Sequence, residues 1–136
     1  MVSLVLLHQL PTELIEKIRR LTYNTQSPEI CNEIRTFTIH RGIIKTTYFH
    51  IFEEEYLEWI ANDLIGYYNK NIPTNTGYTA HFFDIVRRHF IYSDIVNYIT
   101  GDDIIDDLFK KSPNTQVNIL LSLLFPHERE EFIKLI

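Results

Sequence analysis

Leu10-Pro11-Thr12-Glu13-Leu14-Ile15-Glu16-Lys17-Ile18-Arg19-Arg20-Leu21 sets a grammar that the rest of the chain repeats. A proline in the first turn of a helix forfeits only an N–H that has no partner there, and its fixed φ already suits the helix. Glu13 and Glu16 put negative charge near the positive helix end, while Lys17, Arg19 and Arg20 put positive charge near the other. Leu10, Leu14, Ile15, Ile18 and Leu21 fall on one face at helical spacing. The stretch predicts an amphipathic helix.

Downstream, Ser27-Pro28-Glu29 repeats the signal, a capping serine before a first-turn proline, and Ile30, Cys31, Ile34 and Phe37 continue as a second stripe. Residues 11–37 are therefore expected to form a helical hairpin joined through Tyr23 to Gln26. Glu53 to Asn69 reads as a helix with acid at its start and Phe52, Tyr56, Leu57, Ile60 and Leu64 in its stripe. Asn71 to Gly77 breaks the pattern as a loop. Thr79 to Phe90 follows as a helix, Ser93-Asp94 caps another that carries Ile95, Val96, Tyr98 and Ile99, and Gly101 is expected to end it. Asp102 to Lys111, a helix opened by Ser112-Pro113, and a last helix from Pro126 to Ile136 complete the series.

Thr36 to Phe52 leaves two readings open. Its β-branched and aromatic residues around Gly42 suit a small β-hairpin turning near His40-Arg41-Gly42, and they also suit a helix running on from Ile43. The expected fold is all-α: a compact multi-helix domain over 1–136, with an apolar arm at 1–10, the hairpin at 11–37, a bundle over 53–136 and a small β-hairpin at 36–52 as the open element.

Composition narrows the function classes. A chain of 136 residues buries about two-thirds of its unfolded surface and needs neither disulfide nor metal to fold. A formal charge of -5 disfavours non-specific attraction to nucleic acid or anionic membranes. Cys31 is the single cysteine and reads as a buried thiol, which fits a reducing compartment. The apolar start Met1 to Leu7 lacks a basic flank and a cleavage site, and Pro11 follows too soon for a spanning helix, so neither leader nor membrane anchor is expected. Twenty isoleucines against two alanines, Ala61 and Ala80, reflect AT-rich codons.

Four constellations bear on chemistry. His81 and Asp84 lie one turn apart, the spacing at which a carboxylate orients an imidazole as a general base, although a solvated pair has the same spacing. Asp102, Asp103, Asp106 and Asp107 crowd one short helix without the glycine-containing calcium loop, and read as a solvated acidic face. Arg87-Arg88-His89, with Arg41 and Lys45, are the residues for a nucleic-acid patch, with Phe82, Phe83, Phe90 and Tyr92 as stacking partners, but these aromatics sit at core spacing. Trp59 falls with Tyr56 and Ile60 on one helical face and reads as core. No phosphate cradle, nucleophile elbow or zinc spacing occurs, so no cofactor, metal or catalytic residue is expected.

Leu10-Pro11-x-Glu13-Leu14-Ile15-x-x-Ile18 resembles the opening of the F-box, a helical motif that docks on the Skp1-type adaptor of ubiquitin ligases. The likeness covers about a dozen residues and fades after Leu21, because Ser27 to Phe37 lacks the basic, tryptophan-containing stretch of the motif's later helix. It implies Leu10, Pro11, Leu14, Ile15 and Ile18 as partner-binding residues. Openings of this kind also recur in proteins of large DNA viruses, and with the AT-rich residue usage the chain resembles a small protein of such a virus. The expectation is a non-enzymatic protein-interaction protein, a minor capsid or virion component binding other virion proteins, in the virion or host cytoplasm. An F-box-like adaptor and a nucleic-acid-binding protein are the alternatives.

Overall fold

A computed structural model describes residues 11–23, 27–89, 92–93 and 98–136. The apolar arm at 1–10, Leu10 included, and most of the expected helix after Ser93 lie outside the described residues. Contacts along the chain group it into two compact units, Met1–Asn32 and Glu33–Ile136.

The first unit holds α1 (Thr12–Tyr23) and the opening turns of α2 (Pro28–Phe52). Pro11 stands just before α1, and its carbonyl accepts from the Leu14 and Ile15 N–H groups at 3.0 and 3.1 Å. Ser27 caps α2 as its position predicts, its Oγ accepting from the Ile30 N–H at 3.3 Å. Cys31, expected inside, is exposed.

In the second unit α2 continues to Phe52, followed by a 3-10 turn Glu53–Glu55, α3 (Tyr56–Tyr68), a 3-10 turn Thr74–Thr76, α4 (Ala80–Val86), α5 (Gly101–Phe109), α6 (Pro113–Ser122) and α7 (Pro126–Leu135). No strand occurs among the described residues, so the fold is all-α.

The β-hairpin reading of 36–52 is overturned, since this whole segment is helix. Two physical reasons decide it. His40, Ile44 and Tyr48, four residues apart, are buried and Phe37 and Phe52 extend the same seam, whereas Gly42, Thr46 and His50, which a strand would place on that same face, are exposed. Thr38 and Thr47 also turn their hydroxyls back onto the Ile34 and Ile43 carbonyls at 2.9 Å, which accommodates β-branched residues in the helix. The helix stops at Phe52 because Glu53 adopts a left-handed φ of 51°, so the expected single helix from Glu53 begins instead as a 3-10 turn.

The core forms around α3, whose Ile60, Ala61, Leu64, Ile65 and Tyr68 make one buried stripe. α3 packs most extensively on α6, which supplies Val117, Leu120 and Leu121. Phe82 and Ile85 of α4, Ile104 and Leu108 of α5 and Phe132 of α7 close the remaining sides. Tyr68 buries its ring there and donates its hydroxyl to the Leu120 carbonyl.

The loop after α3 hangs on Asn69, which is fully buried. Its Nδ2 donates to the Ile72 and Gly77 carbonyls at 2.8 and 3.0 Å, and its Oδ1 accepts from the Thr79 N–H at 2.7 Å. Thr79 is thereby set to cap α4, its hydroxyl accepting from the Phe82 N–H. Gly101, expected to end a helix, opens α5 instead: Thr100 and Asp103 form a reciprocal capping box across it.

Candidate protein-interaction face

α1 presents its apolar residues unevenly. Pro11 is exposed, Leu14 is 47% exposed and Ile15 is half-buried. The Ile18 side chain and Leu10 lie outside the described residues. Of the positions implied by the resemblance, two are therefore accessible and one is partly so. An isolated twelve-residue helix is marginal in water without an apolar face to cover. Farther along, Ile30 and Ile34 of α2 are 51% and 52% exposed, although the expected stripe placed them inward.

The other constellations are largely absorbed by the fold. Arg88 is bound on three sides: its Nη1 and Nη2 grip Glu128 at 2.5 and 3.0 Å, Nη1 also donates to the Leu123 carbonyl at 2.8 Å, and the guanidinium lies 3.9 Å above the Phe125 ring. Arg87 pairs with Asp84 at 3.5 Å. Lys45 and Arg41 donate to Asn114 and Asn118 on α6. Burial, reinforced by Arg41, lowers the Lys45 pKa. The basic residues thus tie elements together, and Phe82 and Tyr92 are core.

Three of the four α5 aspartates, Asp102, Asp103 and Asp107, are also engaged. Asp103 caps the helix through Thr100, whose backbone and hydroxyl hydrogen bonds hold its carboxyl below the ordinary value. Asp102 accepts from the Tyr78 hydroxyl at 2.7 Å and Asp107 from the Tyr92 hydroxyl at 2.5 Å. Among the described residues no group of three or more His, Cys, Asp or Glu is placed to hold a metal ion.

His81 does not meet the partner its spacing suggested, since Asp84 faces Arg87. It lines instead a cleft of about 450 Å³ with Tyr67, Lys70, His127 and Glu131, where Tyr67 donates to Glu131 at 2.9 Å. Sequence separation hid this grouping.

Trp59 is a further correction. It is 43% exposed and stacks on Phe52 with ring centroids 4.9 Å apart, while Phe49 meets Tyr56 edge-on at 5.5 Å. These two cross-helix pairs form an aromatic edge where α2 turns into α3. Among the described residues no helix is long and apolar enough to cross a membrane.

No family model matches the chain, and no curated protein or solved structure matches it.

Proposed function

We propose that this is a non-enzymatic protein-interaction protein that docks a partner through α1, and that it serves as a small structural component, of minor capsid or virion type, of a large DNA virus. The observation that carries the docking reading is the exposure of Leu14 on α1, and of Pro11 just before it, at the start of a helix whose apolar residues share one face. The engagement of Arg88, Asp102 and Asp107 in the fold supports the same reading, because it withdraws those side chains from reaction chemistry. The viral assignment draws on residue usage and motif style. Leu14→Asp in the full chain tests it: the variant should keep its helicity by circular dichroism yet drop out of purified particles that retain the wild type. Equal incorporation of both, or absence of the wild type from particles, would refute it.

The second reading is an F-box-like adaptor, favoured because Pro11 and Leu14, two of the positions with which the motif docks, are accessible. Direct titration with a purified Skp1-type adaptor separates the two. Saturable binding by the wild type that Leu14→Asp abolishes supports the adaptor, and no binding by the wild type ends it.

A further inference from the structure

Two arginines of this chain are held in the same way. Arg129 lies 5.3 Å from the Phe37 ring centre and pairs with Glu33, four residues earlier on the same helix, at 2.7 Å. Arg88 lies over Phe125 and pairs with Glu128, three residues later. In each case one helical turn offers an aromatic face beside a carboxylate, which suits a guanidinium because its plane stacks on a ring while its edge grips oxygen.

A third such turn exists at the α2–α3 corner. Glu55 precedes Trp59 by four residues, the spacing of Glu33 and Phe37, and Glu58 adjoins it. Among the described residues no arginine or lysine pairs with Glu53, Glu54, Glu55 or Glu58, and none lies over Trp59. From Thr46 to Asn69 the chain has five carboxylates and no lysine or arginine. Trp59, Phe49 and Ile51 remain 43%, 53% and 60% exposed beside those acids.

We infer that this corner is a docking surface for an arginine-bearing segment of another protein, one guanidinium stacking on Trp59 and bridging to Glu55 and Glu58. The charge complementarity selects a basic partner, and the exposed ring selects arginine over lysine. This surface is distinct from α1, so the inference stands whether or not α1 docks anything.

Trp59 is the single tryptophan, so its emission reports occupancy directly. Titrating the full chain with a blocked hexa-arginine peptide should give a saturable change in Trp59 fluorescence, with hexa-lysine binding about fivefold more weakly, a difference of the size a cation–π contact at an exposed site confers. Glu55→Gln with Glu58→Gln should weaken hexa-arginine binding about tenfold, while Glu13→Gln with Glu16→Gln, which removes the same charge from α1, should change it less than about twofold. All four carboxylates are exposed, so both double variants should keep the wild-type circular dichroism. No saturable change, equal affinity for the two peptides, or equal weakening by the two double variants would overturn the inference. So would concentration-dependent self-association abolished by Glu55→Gln with Glu58→Gln, since the occupant would then be a second copy.

Discussion

Arg129 reaches back 96 residues to Glu33: its Nη2 donates to Glu33 Oε1 at 2.7 Å from a position that admits no solvent. The same guanidinium donates through Nη1 to the Leu124 and Leu121 carbonyls at 2.7 and 3.4 Å, and through Nε to His40 Nδ1 at 3.3 Å. It therefore satisfies the Leu124 carbonyl just past the end of α6, shares the Leu121 carbonyl with the Leu124 N–H, and ties α7 to α2 where the helix dipole is negative. Arg88 serves the same end of α6 through the Leu123 carbonyl.

Removing this hub should be among the costliest single changes. Arg129→Leu leaves the buried Leu124 carbonyl and His40 Nδ1 without their donor and is expected to destabilise the fold by about 2–4 kcal/mol, at roughly 1–3 kcal/mol for each unsatisfied buried acceptor. Glu33→Gln should cost less than about 1 kcal/mol, because its side chain is half in solvent and Arg129 keeps its other acceptors. Urea unfolding of both variants checks the ordering, and comparable losses would refute the hub.

Acid should weaken the Arg88–Glu128 clamp. Burial by itself raises the Glu128 pKa, but the two Arg88 hydrogen bonds, the Phe125 N–H and the Arg88 charge outweigh it and hold the carboxyl below its ordinary 4.5. A depressed carboxylate contributes stability that is present above the ordinary value and is lost as pH falls through the folded one. Urea midpoints should therefore decline below pH 4.5, and Glu128→Gln should make that decline shallower. An unchanged slope would show that the clamp is not linked to folding.

Alkali should act through tyrosines that donate to carboxylates. Burial first, then the hydrogen bond to Glu131, raises Tyr67 to about 12, and burial with Asp102 raises Tyr78 to about 12. Between the ordinary 10 and these values the unfolded chain releases protons that the folded chain keeps, so stability falls as pH rises. Tyrosinate absorbance should show Glu131→Gln bringing Tyr67 back toward 10. A titration curve that the variant leaves in place would remove Glu131 as a cause.

Two glycines should respond oppositely to alanine. A Cβ at Gly101 would overlap the Tyr78 ring, which is itself held by Asp102, so Gly101→Ala is expected to cost about 1–3 kcal/mol. Gly42 lies inside α2 with nothing within 4 Å of an added Cβ, and Gly42→Ala should stabilise by about 0.5–1 kcal/mol through helix propensity alone. Thermal unfolding distinguishes the pair, and a stabilising Gly101→Ala would contradict the contact.

Local signals carried most of the helix starts. Ser27 and Ser112 cap the helices their positions predict, because a cap depends only on neighbours three residues away, whereas the Thr100 cap goes unread because Gly101 reads as a helix end. Periodicity likewise placed Ile60, Leu64, Val117 and Leu121 in the core. Burial of Arg129 and Glu128 was not legible, since long charged side chains are ordinarily exposed unless a distant partner is present. The exposure of Trp59 and Ile34 was missed for the matching reason: a stripe marks which residues share a face, without saying how far the neighbouring helix extends to cover it.

By itself, then, the sequence determined that this chain is helical, where most of its described helices begin, and that α1 has an apolar face. Only the tertiary structure decided that 36–52 continues α2 as helix, that Arg88 and Arg129 are internal fastenings, and which aromatic edge stays exposed. Capping and periodicity are short-range and survive in one dimension, whereas burial and charge pairing depend on contacts between residues far apart in the chain.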